Sequence, residues 1–190
     1  MKRFLFSLSM LALIVAAAGC SQQARWNHKQ KEAIRESLRQ YRDMIYLEDL
    51  TDPEFIVFTE GVATDIENTY PVYATFIQMP GVNDTVDMFV ITTIVDELNA
   101  DAHNMRHLFP YRDLVSQGIL PDRLSHEQQR QFYRCMAQKA NAYYSSADQF
   151  FTAILNDTAS TSSIAQIQSQ CASDLFNWVV EVEEVGVSEN

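Results

Sequence analysis

Apolar residues along this chain recur at intervals of three and four, the spacing that lines one face of a helix. From Trp26 the stripe runs through Ile34, Leu38, Tyr41 and Ile45, and predicts a first helix reaching about Leu47. Thr51-Asp52-Pro53-Glu54 is a helix start, with a capping side chain before a proline suited to the first turn and an acid near the positive end of the dipole. Phe55, Phe58, Val62, Ile66 and Tyr70 carry that second helix to Pro71, which ends it and opens a short one through Val72, Phe76 and Met79. After the Pro80-Gly81 turn, Met88, Ile91, Ile94/Val95, Leu98, Ala102 and Met105 predict a third long helix that stops at Pro110.

The second half repeats the pattern. A short helix over Tyr111 to Gln117 is closed by Gly118. Ser125-His126-Glu127-Gln128 reads as a capping box, and the stripe after it (Phe132, Met136, Ala140, Tyr143, Ala147, Phe150, Ile154) continues for about eight turns, with a bend expected at Ser145-Ser146. A polar loop over 156–163 precedes a last helix marked by Ile164, Ile167, Cys171, Leu175, Trp178 and Val182. No segment alternates as a strand does, and no internal repeat is present. The expectation is an all-α protein, a single bundle of five or six helices over residues 26–182, followed by an acidic tail at 183–190.

The first twenty residues are of another kind. Lys2 and Arg3 precede an apolar run, Phe4 to Ala18, which is short of the roughly 20 residues a bilayer span needs. Small residues at Ala17, Ala18 and Gly19 stand directly before Cys20. This segment resembles the lipobox of bacterial lipoproteins processed by signal peptidase II, departing from the commonest pattern at Ala17, where leucine is more usual. The resemblance covers residues 1–20 only. It implies a signal peptide over 1–19, lipidation of Cys20, a short tether over 20–25, and attachment to a bacterial membrane through the N-terminal lipid. Ser21 in place of aspartate resembles the outer-membrane choice of proteobacterial lipoproteins, and no acidic run follows Cys20, which points to the periplasmic face.

Charge narrows the partners. Without Lys2 and Arg3, 12 basic side chains remain against 25 acidic ones, a net charge of −13, which excludes nucleic acid as a partner because its binding rests on neutralising phosphates. Thr51 to Asp101 holds ten acidic residues and no Lys or Arg, and Ala140 to Asn190 holds seven and again none. Every cation of the processed chain therefore lies in Arg25 to Arg42 or Arg106 to Lys139. Folding can satisfy these blocks as surface pairs, each worth little. A basic end near Cys20 would also suit anionic headgroups.

The candidate chemistry is sparse. His103 and His107 stand four apart on the expected third helix with Asp96 on the same side, a set that could hold a metal. HNMRH has Asn104 where the HExxH zinc peptidases have their glutamate, so the hydrolytic base is missing. No GxSxG, phosphate-loop or dinucleotide pattern occurs, and no cofactor is implied. If Cys20 carries lipid, Cys135 and Cys171 are the remaining thiols, and an oxidising envelope favours their pairing. Against it, a hairpin centred in the polar loop staggers the two by about 18 Å unless the long helix breaks at Ser145-Ser146, so the bond stays open at this point. The function expected is that of a membrane-anchored envelope lipoprotein with a helical, non-enzymatic interaction or accessory domain and an envelope protein as partner. The alternatives are a metal-binding or hydrolytic protein using Asp96, His103 and His107, and a bundle holding an apolar ligand between helices.

Overall fold

The computed structural model describes residues 26–156 and 161–179. The signal peptide, Cys20, the tether and the acidic tail read from the sequence lie outside the described residues. Within them the chain is all-helical, with no strand. Eight α-helices follow in order: α1 His28–Ser37, α2 Asp52–Thr69, α3 Tyr73–Gln78, α4 Val82–Ala100, α5 Tyr111–Ser116, α6 His126–Tyr144, α7 Ala147–Leu155 and α8 Thr161–Phe176. Two 3-10 segments, Leu38–Tyr41 and Ala102–His107, extend α1 and follow α4.

The expected single bundle of five or six helices is thus corrected. The described residues divide into two compact units, one holding 26–41 and Pro53–Ile91, the other Arg42–Asp52 and 92–179. In the first, α1 begins with a capping box in which the Asn27 side chain accepts from the Gln30 backbone and Gln30 answers to the Asn27 N–H. Trp26 anchors this unit. Its indole N–H donates to the Tyr70 carbonyl (2.9 Å), and its ring meets Tyr73 edge-on and Phe76 at a tilt. Phe55, Phe58, Val62, Ala63 and Ile66 bury one face of α2, and Lys31 pairs with Glu67. Gly81, at φ +73°, supplies the left-handed turn into α4 that other residues adopt only under strain.

Two stripes differ from their expected rows. On α4 the buried row is Val86, Val90, Ile94 and Leu98, while Met88 is 54 % exposed. The first helix stops about ten residues early, at Ser37, and continues only as the 3-10 segment Leu38–Tyr41; Tyr46 and Leu47, both fully buried, lie beyond it. Residues 42–50 instead form turns around Arg42, whose guanidinium donates to the carbonyls of Leu47 and Leu50.

In the second unit Ser125 and Gln128 form the capping box that starts α6. Ser145, at φ +63°, ends that helix in the left-handed region, and the Ser146 hydroxyl caps α7 by accepting from the Gln149 N–H. The expected bend is a complete break. Phe132, Tyr133, Met136 and Ala140 of α6 are buried, as are Phe150 and Phe151 of α7 and Ile167, Cys171 and Ala172 of α8.

Candidate functional site

In the second unit a cluster of polar side chains gathers where the 42–52 segment meets the end of α4 and the 3-10 segment after it. The Asp101 carboxylate accepts from the His103 N–H, so the chain leaves α4 and tightens to about three residues per turn. At that pitch, residues four apart point about 120° from each other rather than about 40°. His103 and His107 therefore part company. His103 lays its ring edge-on against Tyr133 (5.6 Å between centroids), and its Nδ1 is buried with no hydrogen-bond partner among the described residues. His107 is buried at 5 % exposure, with Nδ1 2.8 Å from Oδ2 of Asp49 and its ring against Tyr46 (5.2 Å).

Asp96 is exposed. Among the described residues no group of three or more His, Cys, Asp or Glu side chains is arranged to hold a metal ion, so the set Asp96, His103 and His107 is not assembled. The i, i+4 reading failed because it extended α4 past Ala100.

What the structure assembles instead is Tyr46, Asp49, Glu97 and His107, of which sequence reasoning found only the last. Tyr46 is wholly buried at φ +80°, a left-handed conformation that costs a bulky residue on the order of 1 to 3 kcal/mol. Its hydroxyl donates to Oε2 of Glu97 at 2.6 Å, and Asn104 donates to the Glu97 carbonyl at 2.8 Å. The Tyr133 hydroxyl donates to the Phe109 carbonyl. Burial, then the neighbouring Asp49 charge, pushes the Tyr133 hydroxyl well above the usual phenol range. Burial first, then the Arg106 and Arg130 charges, hold the His103 imidazole below its ordinary value. The pairing of His107 with a carboxylate could orient a general base. Two of the hydrogen bonds here, Tyr46 to Glu97 and His107 with Asp49, tie residues 42–52 to the end of α4 and to Ala102–His107.

Cys135 and Cys171 are brought together. Their sulfurs are bonded at 2.05 Å with Cα atoms 5.9 Å apart, joining α6 to α8 across 36 residues. The break at Ser145-Ser146 removes the stagger a straight hairpin would impose. One turn along both helices from this bond, an open groove of about 330 Å³ runs between Lys139 and Tyr143 of α6 and Ser163, Gln166, Ile167 and Gln170 of α8.

Among the described residues these features define an all-α, disulfide-stapled protein with a polar tie and a shallow interhelical groove. The chain matches no family model, no curated protein and no solved structure.

Proposed function

We propose that the chain is a bacterial envelope lipoprotein, held by lipid on Cys20 at the periplasmic face of the outer membrane, whose helical part is a non-enzymatic interaction module. The observation that carries this reading is the division of labour among three cysteines. Cys135 and Cys171 are joined, a pairing that suits an oxidising compartment, and the remaining cysteine is the one that follows Ala17-Ala18-Gly19. No described helix is long and apolar enough to cross a membrane, so attachment in this reading falls to the lipid. The short polar stretch 21–25 would keep the folded part within about 18 Å of the lipid attachment point.

Expression in a bacterial host with a fatty-acid probe tests the anchor. The wild-type chain should take up label and begin at Cys20, and Cys20→Ser should accumulate as unlabelled precursor. Label retained in Cys20→Ser, or a mature chain beginning at Gly19, overturns the reading.

A further inference from the structure

We infer that residues 70–80, the loop and short helix against which Trp26 packs, form a second contact with the membrane, lying on the lipid surface to which Cys20 is attached. The inference rests on the reading of Cys20 as the lipidated residue, and adds which face of the first unit meets the bilayer. The tether delivers the chain to Trp26 within about 18 Å of the lipid attachment point. Trp26 is then fixed to one place. Its indole N–H donates to the Tyr70 carbonyl (2.9 Å), and its ring lies 5.0 Å from that of Tyr73 and 5.5 Å from that of Phe76. The start of α3 is therefore one side chain away from the point at which the tether joins the fold. By contrast Val57, in the same unit, lies about 20 Å back along α2 from Tyr70.

Two stretches adjoin Trp26, and their chemistry differs. α1 carries Lys29, Lys31, Glu32, Arg35 and Glu36, whose charges would lose hydration in a lipid interface. Residues 68–83 carry no charge at all. Within α3 only Phe76 is buried. Val72, which caps the helix, and Ile77 are 47 % and 45 % exposed, and Pro71, Ala74 and Pro80 are exposed as well. Apolar side chains displayed in this way are unfavourable in water and favourable at the boundary of headgroups and acyl chains, where an interfacial segment sinks about 5 to 10 Å. Half-buried Tyr70 and Tyr73 belong to the same stretch, and tyrosine rings favour that boundary.

The flanks agree with a lipid surface. Glu67, the nearest acidic residue before the uncharged stretch, is paired with Lys31. Asp84, the nearest after it, stands in the first turn of α4, beyond the left-handed Gly81. Lys29, exposed on the first turn of α1, offers an ammonium to headgroup phosphates. Because lipid on Cys20 already holds the chain at the bilayer, the second contact forms at high effective concentration, and a weak one suffices. Its consequence is orientation: a tether alone leaves the first unit free to turn, and this face stops it.

The test uses the full chain, processed and lipidated in a bacterial host and reconstituted in vesicles of phosphatidylethanolamine and phosphatidylglycerol. With Cys20 acylated and Cys135 bonded to Cys171, a cysteine introduced as Ala74→Cys, or as Val57→Cys for comparison, is the thiol that takes a nitrobenzoxadiazole label. A nitroxide near the headgroup end of a lipid acyl chain should quench the label at 74 at least twofold more than the label at 57. Adding Val72→Asp with Ile77→Asp should remove that difference. All four positions are exposed, and circular dichroism establishes that each variant keeps its fold. Equal quenching at the two positions, or quenching at 74 that the aspartates leave unchanged, overturns the inference. So does an unquenched label together with a dimer of the detergent-solubilised chain that the two aspartates dissociate, which makes the face a contact between copies. Fatty-acid labelling of the same preparation is read separately. A lipid-labelled chain without the quenching difference fails on the face alone, whereas a chain that takes no lipid overturns the anchor and, with it, the reach on which the face depends.

Discussion

Nδ1 of His107 lies 2.8 Å from Oδ2 of Asp49, across a sequence separation of 58 residues, with the His107 side chain buried and the Asp49 side chain 34 % exposed. The pair joins the turns that follow the first helix to the 3-10 segment that follows α4. Tyr46 ties the same turns to α4 itself through Glu97. Two hydrogen bonds thus hold a segment that has no regular helix of its own.

Removing the carboxylate should expose the value of that tie. Asp49→Ala leaves the buried His107 nitrogen without its partner, and a loss of about 1 to 3 kcal/mol is expected. Urea unfolding at constant pH measures it. A change within about 0.5 kcal/mol would show the pair to be incidental.

Tyr46→Phe keeps the buried ring and removes only the hydroxyl that donates to Glu97. Bonds to charged groups are worth about 1.5 to 3 kcal/mol, so a loss in that range is expected, with hydrogen exchange accelerating first in residues 42–50. Uniform acceleration over the whole chain would contradict a local tie.

His103 gives a pH signature whose sign follows from its burial. Its folded-state pKa lies below the 6.5 of the unfolded chain, owing to burial and then to Arg106 and Arg130. Between those two values the unfolded chain binds a proton that the folded chain does not, so its stabilising contribution is complete above about pH 6.5 and is lost as the pH falls through the folded value. His103→Gln should flatten the fall in urea midpoint between pH 7 and pH 5. A midpoint profile parallel to that of the wild type would contradict this.

The disulfide closes a loop of 36 residues. In the chain-entropy account such a closure contributes about 3 to 4 kcal/mol, acting on the unfolded state. The Cys135→Ser, Cys171→Ser double variant should lose that amount, and thiol counting on denatured, unreduced wild-type protein from the periplasm should find neither cysteine free. Two free thiols there would remove the bond and the compartment argument with it.

Most helix boundaries were legible because their signals are local. The Pro80-Gly81 turn, the Ser125 capping box and Gly118 each act within one turn of the chain, and each marks an element end close to the one observed. The errors arose where a stripe continued past a real end. Tyr41 and Ile45 keep helical spacing while Arg42 draws the Leu47 and Leu50 carbonyls inward, and His103 and His107 keep it after Asp101 has turned the chain into a 3-10 segment. Periodicity cannot report a helix end made by a side chain several residues away.

Asp49, Tyr46 and Glu97 carried no signal at all. Nothing in a Tyr, an Asp or a Glu in a polar stretch distinguishes a solvated side chain from one that meets a partner 51 or 58 residues distant. Their roles depend on which distant segment closes upon them.

The helical class, the acidic composition and the small-residue approach to Cys20 follow from the amino-acid sequence, because propensity, charge and short motifs act over a few neighbouring residues. Division into two units, the pairing of His107 with Asp49, the left-handed turn at Tyr46 and the groove beside Tyr143 were decided by tertiary structure. Each requires the burial of one segment against another to offset both the entropy of closing the intervening loop and the local strain that the loop's own residues would otherwise avoid.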